Sequence, residues 1–200
     1  MDNTTSTTPS PPPTDPRPAL GRALATAAAT LTALDAESGT RRSPCGEWTA
    51  LDVGRHLVAV ADRITAVGQR RDPNPLPVLV DLPPAGIAPA FDTASSRLER
   101  AWADPSILGD IVTVPWGRVP GAVAAGVYTV EVLVHTWDLA RALGVDVDWV
   151  TEDVEAALAT ARLGIPAEPR GGEIPFAPPT EPAQDAPPAD RLAAWLGRQV

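Results

Sequence analysis

A long apolar stretch between Pro120 and Gly144 places the strongest constraint on how this chain of 200 residues can fold. Proline is favourable at the first position of a helix, because its φ angle is already helical and its missing N–H would have no partner there. Glycine commonly follows the last residue of a helix, so the stretch is predicted to be helical up to Leu143. This helix is the longest and most apolar element that the sequence predicts.

The spacing of apolar residues predicts further helices on both sides of this stretch. The second helix of the chain has the clearest start, since Thr49 and Asp52 fit a variant of the capping box. The predicted helices cover residues 19–36, 49–70, 91–103, 120–143, 151–163 and 192–196. Residues 111–119 predict a small hairpin instead. The expected fold class is therefore an all-α bundle of four or five main helices with a short hairpin-like insertion.

Segments rich in proline divide the chain into three regions. Residues 1–17 contain almost nothing that a core could bury, and we predict a disordered N-terminal tail. Residues 18–165 carry the main helices of the bundle, with a long proline-rich loop predicted over residues 72–90. Residues 166–200 are again rich in proline and are predicted to form a C-terminal extension with the short terminal helix.

Charge and composition argue against several classes of protein. A formal net charge of −9 without any cluster of basic residues argues against binding to nucleic acid or to an anionic membrane. The N-terminus has neither the basic nor the apolar region of a signal peptide, and no apolar run approaches the roughly 18 residues of a membrane span. We therefore expect a soluble cytoplasmic protein. Its single cysteine excludes an internal disulfide and a zinc site with several cysteines.

The two histidines of the chain stand out because both fall on apolar helix faces. Glu131 and His135 are four residues apart and therefore share one face of the long helix. His56 lies within the apolar stripe of the second helix. Buried imidazoles and carboxylates need partners, and one divalent metal ion would satisfy all three. Two histidines and a carboxylate leave coordination positions open, which is typical of catalytic rather than structural metal sites.

Simpler interpretations of these residues stay open. A single histidine on an apolar face is often a hydrogen-bonded core residue, and a Glu and His four residues apart often form a surface hydrogen bond. Asp138 fits a ligand, a residue that holds a ligand in place, or an ion pair with Arg141 three residues later. Cys45 is interpreted as a packed residue rather than a ligand or nucleophile, since it precedes the second helix and has no histidine near it in sequence.

Aromatic residues offer one further indication of a site. The six tryptophans are interpreted mainly as core and capping residues. Trp116 and Trp137 are the two that we consider as the lining of a pocket, together with the loops over residues 72–90 and 110–119.

Two motifs resemble those of the mycothiol-dependent maleylpyruvate isomerase-like metal-binding family. The first is Ser43–Thr49, SPCGEWT, followed by His56, and the second is Glu131–Arg141, EVLVHTWDLAR. The end of the chain, from Phe176 to Arg198, is similar to the tail of a short actinobacterial branch of the family. The resemblance covers residues 20–198 and implies the four-helix bundle of the DinB/YfiT-like superfamily.

The resemblance also implies a site and an activity. The metal ligands of the family fall on His56, Glu131 and His135, and the metal is expected to be zinc or another divalent ion. Relatives use it to bind and activate a low-molecular-weight thiol such as mycothiol for addition to a small electrophile. The named isomerase has a further C-terminal domain for which this chain is too short, and its catalytic arginine has no assigned counterpart here. The candidates for that arginine are Arg55, Arg97, Arg100 and Arg118.

We expect a metal-dependent enzyme that activates a thiol for isomerisation of, or transfer to, a small-molecule substrate. Asp138 and Arg141 are expected to support the metal ligands from behind. The alternatives are a hydrolase that uses metal-bound water and a non-catalytic metal- or ligand-binding protein. Bundles of this kind often form homodimers, although no feature of the sequence identifies an interface.

Overall fold

The computed structural model describes residues 15–171 and 176–200, and most of the predicted N-terminal tail lies outside these residues. Within them the chain forms six α-helices and one two-stranded antiparallel sheet. The helices are α1 (Arg17–Leu31), α2 (Ala50–Gly68), α3 (Pro84–Ala101), α4 (Gly121–Leu143), α5 (Thr151–Gly164) and α6 (Pro188–Trp195). The strands are β1 (Ile111–Val114) and β2 (Gly117–Pro120). The predicted all-α fold with a small hairpin insertion is confirmed.

Local signals in the sequence account for the start of α2 and the end of α4, the two helices that carry the predicted metal ligands. The side-chain oxygen of Thr49 accepts a hydrogen bond from the Asp52 backbone, and the Asp52 carboxylate accepts one from the Thr49 backbone, so the capping box before α2 is present. Helix α4 ends at Leu143, and it is followed by Gly144, whose φ of +70° is a left-handed conformation that glycine adopts without a steric penalty.

Three helix boundaries differ from those predicted. Helix α1 ends at Leu31 and α6 begins at Pro188. Helix α3 begins at Pro84 rather than at residue 91, so the loop predicted over residues 72–90 is shorter than expected. Proline density was an unreliable guide here, because Pro84 occupies the first turn of α3, where proline is favoured. Pro89 is accommodated inside the helix.

The core lies between α1, α2, α3 and α4. Helix α2 packs on α3 and α4, α1 packs on α4, and α5 with α6 covers the remaining side of α4. The apolar stripe of α2 is completely buried, and it consists of Val53, Leu57, Val60, Ile64 and Val67. The hairpin packs against the first turns of α4. No helix in the described part of the chain has the length and apolar character needed to cross a membrane.

Close packing at the start of α4 leads to a first prediction. A Cβ atom at Gly121 would lie 2.0 Å from the carbonyl oxygen of Ile107, whereas one at Gly126 would lie 3.7 Å from its nearest neighbour, Thr160. Because backbone cannot move aside cheaply, Gly121→Ala should destabilise the fold by about 1–3 kcal/mol. Gly126→Ala, in the same helix, should be neutral or stabilise it by up to about 1 kcal/mol. Urea unfolding of both variants checks this, and equal stabilities would contradict the packing described here.

Candidate metal centre

Helices α2 and α4 bring the three predicted ligands together. His56, Glu131 and His135 each offer a ligand atom, and these atoms all lie within 4.8 Å of one another. The Nε2 atom of His56 is 3.5 Å from Oε1 of Glu131, and the centroids of the two imidazole rings are 4.6 Å apart. Both histidines are buried, whereas the Glu131 side chain is 27% exposed and reaches the surface.

Each imidazole is hydrogen-bonded through Nδ1, which leaves its Nε2 available to bind a metal. Nδ1 of His56 lies 2.8 Å from the carbonyl oxygen of Val78, and Nδ1 of His135 lies 3.1 Å from Oδ2 of Asp138. A carbonyl or an ionised carboxylate only accepts, so each Nδ1 donates, and Nε2 is the atom through which each ring can bind a metal. Metal-binding histidines are typically held in this way. The donor set and its outer hydrogen bonds therefore fit a divalent metal ion.

Charge at the site also fits a metal ion, which needs neutral imidazoles and an ionised carboxylate. Burial on its own would raise the pKa of Glu131, but the pairing with His56 at 3.5 Å and the nearby charge of Arg63 outweigh it, so this pKa lies below its ordinary value. Burial lowers the pKa of His135, against the effect of Asp138. Glu131 is thus an anion and His135 is neutral at pH 7.

The loop between α2 and α3 is held against the candidate site by side chains of α2. Besides His56, which bonds to Val78, Arg55 donates to the carbonyl of Leu82 at 2.9 Å and Arg63 to that of Leu76 at 3.0 Å. This part of the predicted pocket loop therefore lies beside the ligands.

The other candidates for a catalytic arginine occupy the surface. Arg97 pairs with Asp62 at 2.7 Å, and both Arg100 and Arg118 are exposed.

Asp138 is held by an arginine that the sequence did not reveal. The Asp138 side chain is 0% exposed, and its oxygens accept from Nε of Arg198 at 3.1 Å and from Nη2 of Arg198 at 2.8 Å. Arg141, the predicted partner, instead lies over the ring of Trp137 at 5.4 Å. Asp138 thus accepts hydrogen bonds from both His135 and Arg198, and Arg198 is its counter-ion. Sixty residues separate Asp138 from Arg198, so no local spacing could indicate the pair.

Cys45 lies much nearer to the site than its position before α2 suggested. The segment around it folds back, since Arg42 and Thr49 form a β-bridge. As a result, Cys45 with His135 and Asp138 forms a second group whose ligand atoms lie within 4.8 Å of one another. Nη2 of Arg198 lies 3.4 Å from the Cys45 sulfur, so a fixed positive charge already neutralises this group.

An aromatic side chain in contact with the candidate ligands is Trp48, which was not one of the two predicted pocket residues. Trp48 packs on both imidazoles, with ring centroids 4.7 Å from His56 and 5.9 Å from His135. Trp116 of the hairpin is half exposed and packs edge-on against Tyr128, one turn of α4 before Glu131. Trp137 is buried, and its Nε1 donates to Asp190 of α6 at 2.8 Å. Trp137 therefore ties α6 to α4.

Comparison with solved structures identifies the class of fold. The chain is similar to the crystal structure of the mycothiol-dependent maleylpyruvate isomerase, with a TM-score of 0.53 and 17% identity over 75% of this chain and 68% of that one. A variant of that enzyme with a histidine replaced by alanine gives a TM-score of 0.54 with the same identity and coverage. The chain thus has the helical fold of these enzymes, with two histidines and a glutamate converging between two of its helices.

Sequence comparison then identifies the family. The profile of the mycothiol maleylpyruvate isomerase N-terminal domain matches residues 20–140, and the chain belongs to this family. The uncharacterized proteins MT0763 and Rv0738, from two strains of Mycobacterium tuberculosis, are each 34% identical to it over 186 residues, which is 93% of this chain and 99% of theirs. The predicted family is therefore confirmed. The matched range includes His56, Glu131 and His135 but ends before the C-terminal extension.

The surroundings of Cys45 predict a sluggish thiol. Burial, with a smaller contribution from the charge of Asp138, raises the pKa of Cys45 to about 11. Only about one thiol in a thousand is then ionised at pH 8, against about a quarter of ordinary thiols. A more basic thiolate is a better nucleophile, which offsets part of this difference. Cys45 should react with a disulfide reagent at least about tenfold more slowly in the native protein than in the unfolded one. Equal rates at pH 8 would contradict the environment described for this thiol.

Proposed function

We propose that this protein is a metal-dependent enzyme that activates a low-molecular-weight thiol, such as mycothiol, for reaction with a small electrophilic substrate. His56, Glu131 and His135 would hold the metal, for which zinc is the best candidate. The observation that carries the proposal is the convergence of three ligand atoms within 4.8 Å, with the other nitrogen of each imidazole bonded to an acceptor. Family membership supports the choice of a thiol as co-substrate, because mycothiol dependence is named for the relatives of known structure.

Three protein ligands leave at least one coordination position free, which a structural zinc site would normally fill with a fourth side chain. When bound, a divalent metal would lower the pKa of a coordinated thiol, so that the thiolate is present at neutral pH. Glu131 is the ligand that reaches the surface, so the substrate would approach from its side. The loop that carries Val78 and the hairpin that carries Trp116 would bound this approach.

The chain's own residues would orient the ligands. The carbonyl of Val78 holds the His56 ring through Nδ1, and the Asp138 carboxylate holds the His135 ring. Trp48 packs on both rings and shields them from water. Each of these contacts limits the rotation of an imidazole, so the ligand atoms are positioned before the metal binds.

Metal content tests the first half of the proposal. Wild-type protein dialysed against zinc should retain about one equivalent by elemental analysis, and Glu131→Gln should weaken zinc binding at least about tenfold, because it removes an anionic ligand at constant shape. Glu155→Gln is the matched control, since Glu155 pairs with Arg191 at the surface. Wild-type protein that retains less than about a tenth of an equivalent would contradict the metal site.

Thiol binding tests the second half. Mycothiol titrated into the zinc-loaded protein should bind and release a proton, since the thiol is expected to bind as thiolate. The heat of binding measured in two buffers of different ionisation enthalpy reports that proton. Protein freed of zinc and the Glu131→Gln variant should lose most of this binding. If wild-type protein retains zinc but the zinc-free protein binds mycothiol equally well, the proposed thiol activation is wrong and the metal site stands.

A further inference from the structure

The C-terminal segment, residues 176–200, is attached to the bundle by a network that ends at the candidate metal centre. Helix α6 packs on α5 and α4. After α6 the chain turns back, with Thr180 Oγ1 donating to the carbonyl of Arg198 at 2.6 Å and the Arg198 backbone N–H donating to Ala193 at 3.0 Å. The backbone of Arg198 is therefore held in place by contacts that do not involve its side chain.

The side chain of Arg198 then enters the interior and finds a partner for each of its nitrogens. Only 10% of it is exposed. Nε and Nη2 bind the two oxygens of Asp138, Nη1 donates to the carbonyl of Leu196 at 3.0 Å, and Nη2 also lies 3.4 Å from the Cys45 sulfur. A lysine would supply one point charge in place of this planar fork. The pocket is thus built for a guanidinium group.

Asp138 connects this guanidinium group to a metal ligand. Its Oδ2 atom accepts from both Arg198 and His135. Without Arg198, Asp138 would be a fully buried carboxylate without its main counter-charge, which is strongly unfavourable. It would then take up a proton or turn toward water. The hydrogen bond that fixes the orientation of the His135 ring would be weakened in the first case and lost in the second.

We propose that Arg198 is a positioning residue of the metal centre, and that docking of the C-terminal segment and metal binding favour each other through Asp138 and His135. The inference rests on the metal site proposed above. By thermodynamic reciprocity, a segment that tightens metal binding must itself be held more firmly when the metal is bound. Arg198 lies outside the range that matches the family profile, so this support comes from the chain's own C-terminal extension.

Zinc affinity measured by competition with a chelator tests the first arm. Loss of a residue that supports a metal ligand typically weakens metal binding about 10–100-fold, which we expect for Arg198→Ala. Arg198→Lys keeps the charge but not the fork and should lie between Arg198→Ala and wild type. Arg191→Ala is the matched control, since Arg191 lies in the same segment but pairs with Glu155 at the surface, and it should stay within about twofold of wild type.

Hydrogen exchange of residues 188–200 tests the reciprocal arm. Zinc should slow exchange there in wild type and in Arg191→Ala, but much less in Arg198→Lys. This variant is used because its positive charge still faces Asp138, so the protein should fold. A merely structural arginine would destabilise the protein without altering zinc affinity or the effect of zinc on exchange. That result, with wild type still binding zinc, overturns this inference alone. Wild type that binds no zinc overturns the metal site and this inference with it.

Discussion

Two imidazoles and a carboxylate lie between α2 and α4 beside a largely apolar core, and the need to give each of them a partner shapes much of the surrounding structure. His56 is bonded to the loop before α3, and His135 is bonded to Asp138. Asp138 in turn requires Arg198 from the end of the chain. One polar centre thus draws together the loop, two core helices and the C-terminal segment. A bound metal would complete this arrangement, because it would be the shared partner of Nε2 of His56, Nε2 of His135 and the Glu131 carboxylate.

The helices and the three convergent residues could be predicted from sequence because their signals are local. Periodicity placed His56 on the buried face of α2, and the four-residue spacing placed Glu131 and His135 on one face of α4. The capping box at Thr49 and the left-handed Gly144 are likewise encoded within a few residues. The rest of the site depends on contacts between distant segments. Nothing near Asp138 indicates Arg198, and nothing near Cys45 indicates that its sulfur lies close to His135.

Two neighbouring groups compete in principle for a cation, since His135 belongs to both. One contains His56 and Glu131, and the other contains Cys45 and Asp138. The guanidinium of Arg198 decides between them, because it lies against both the Cys45 sulfur and the Asp138 oxygens and would repel a second positive ion there. The raised pKa of Cys45 acts in the same direction, since a metal binds the thiolate and not the thiol. We therefore propose that the metal binds the group with two histidines and the glutamate rather than the group with Cys45.

X-ray absorption at the zinc edge tests that assignment most directly. Zinc-loaded protein without added thiol should show only nitrogen and oxygen ligands at about 2.0–2.2 Å, with the outer scattering of two imidazoles. Cys45→Ala should leave this spectrum unchanged. A sulfur ligand at about 2.3 Å that disappears in Cys45→Ala would place the metal on Cys45 and contradict the account.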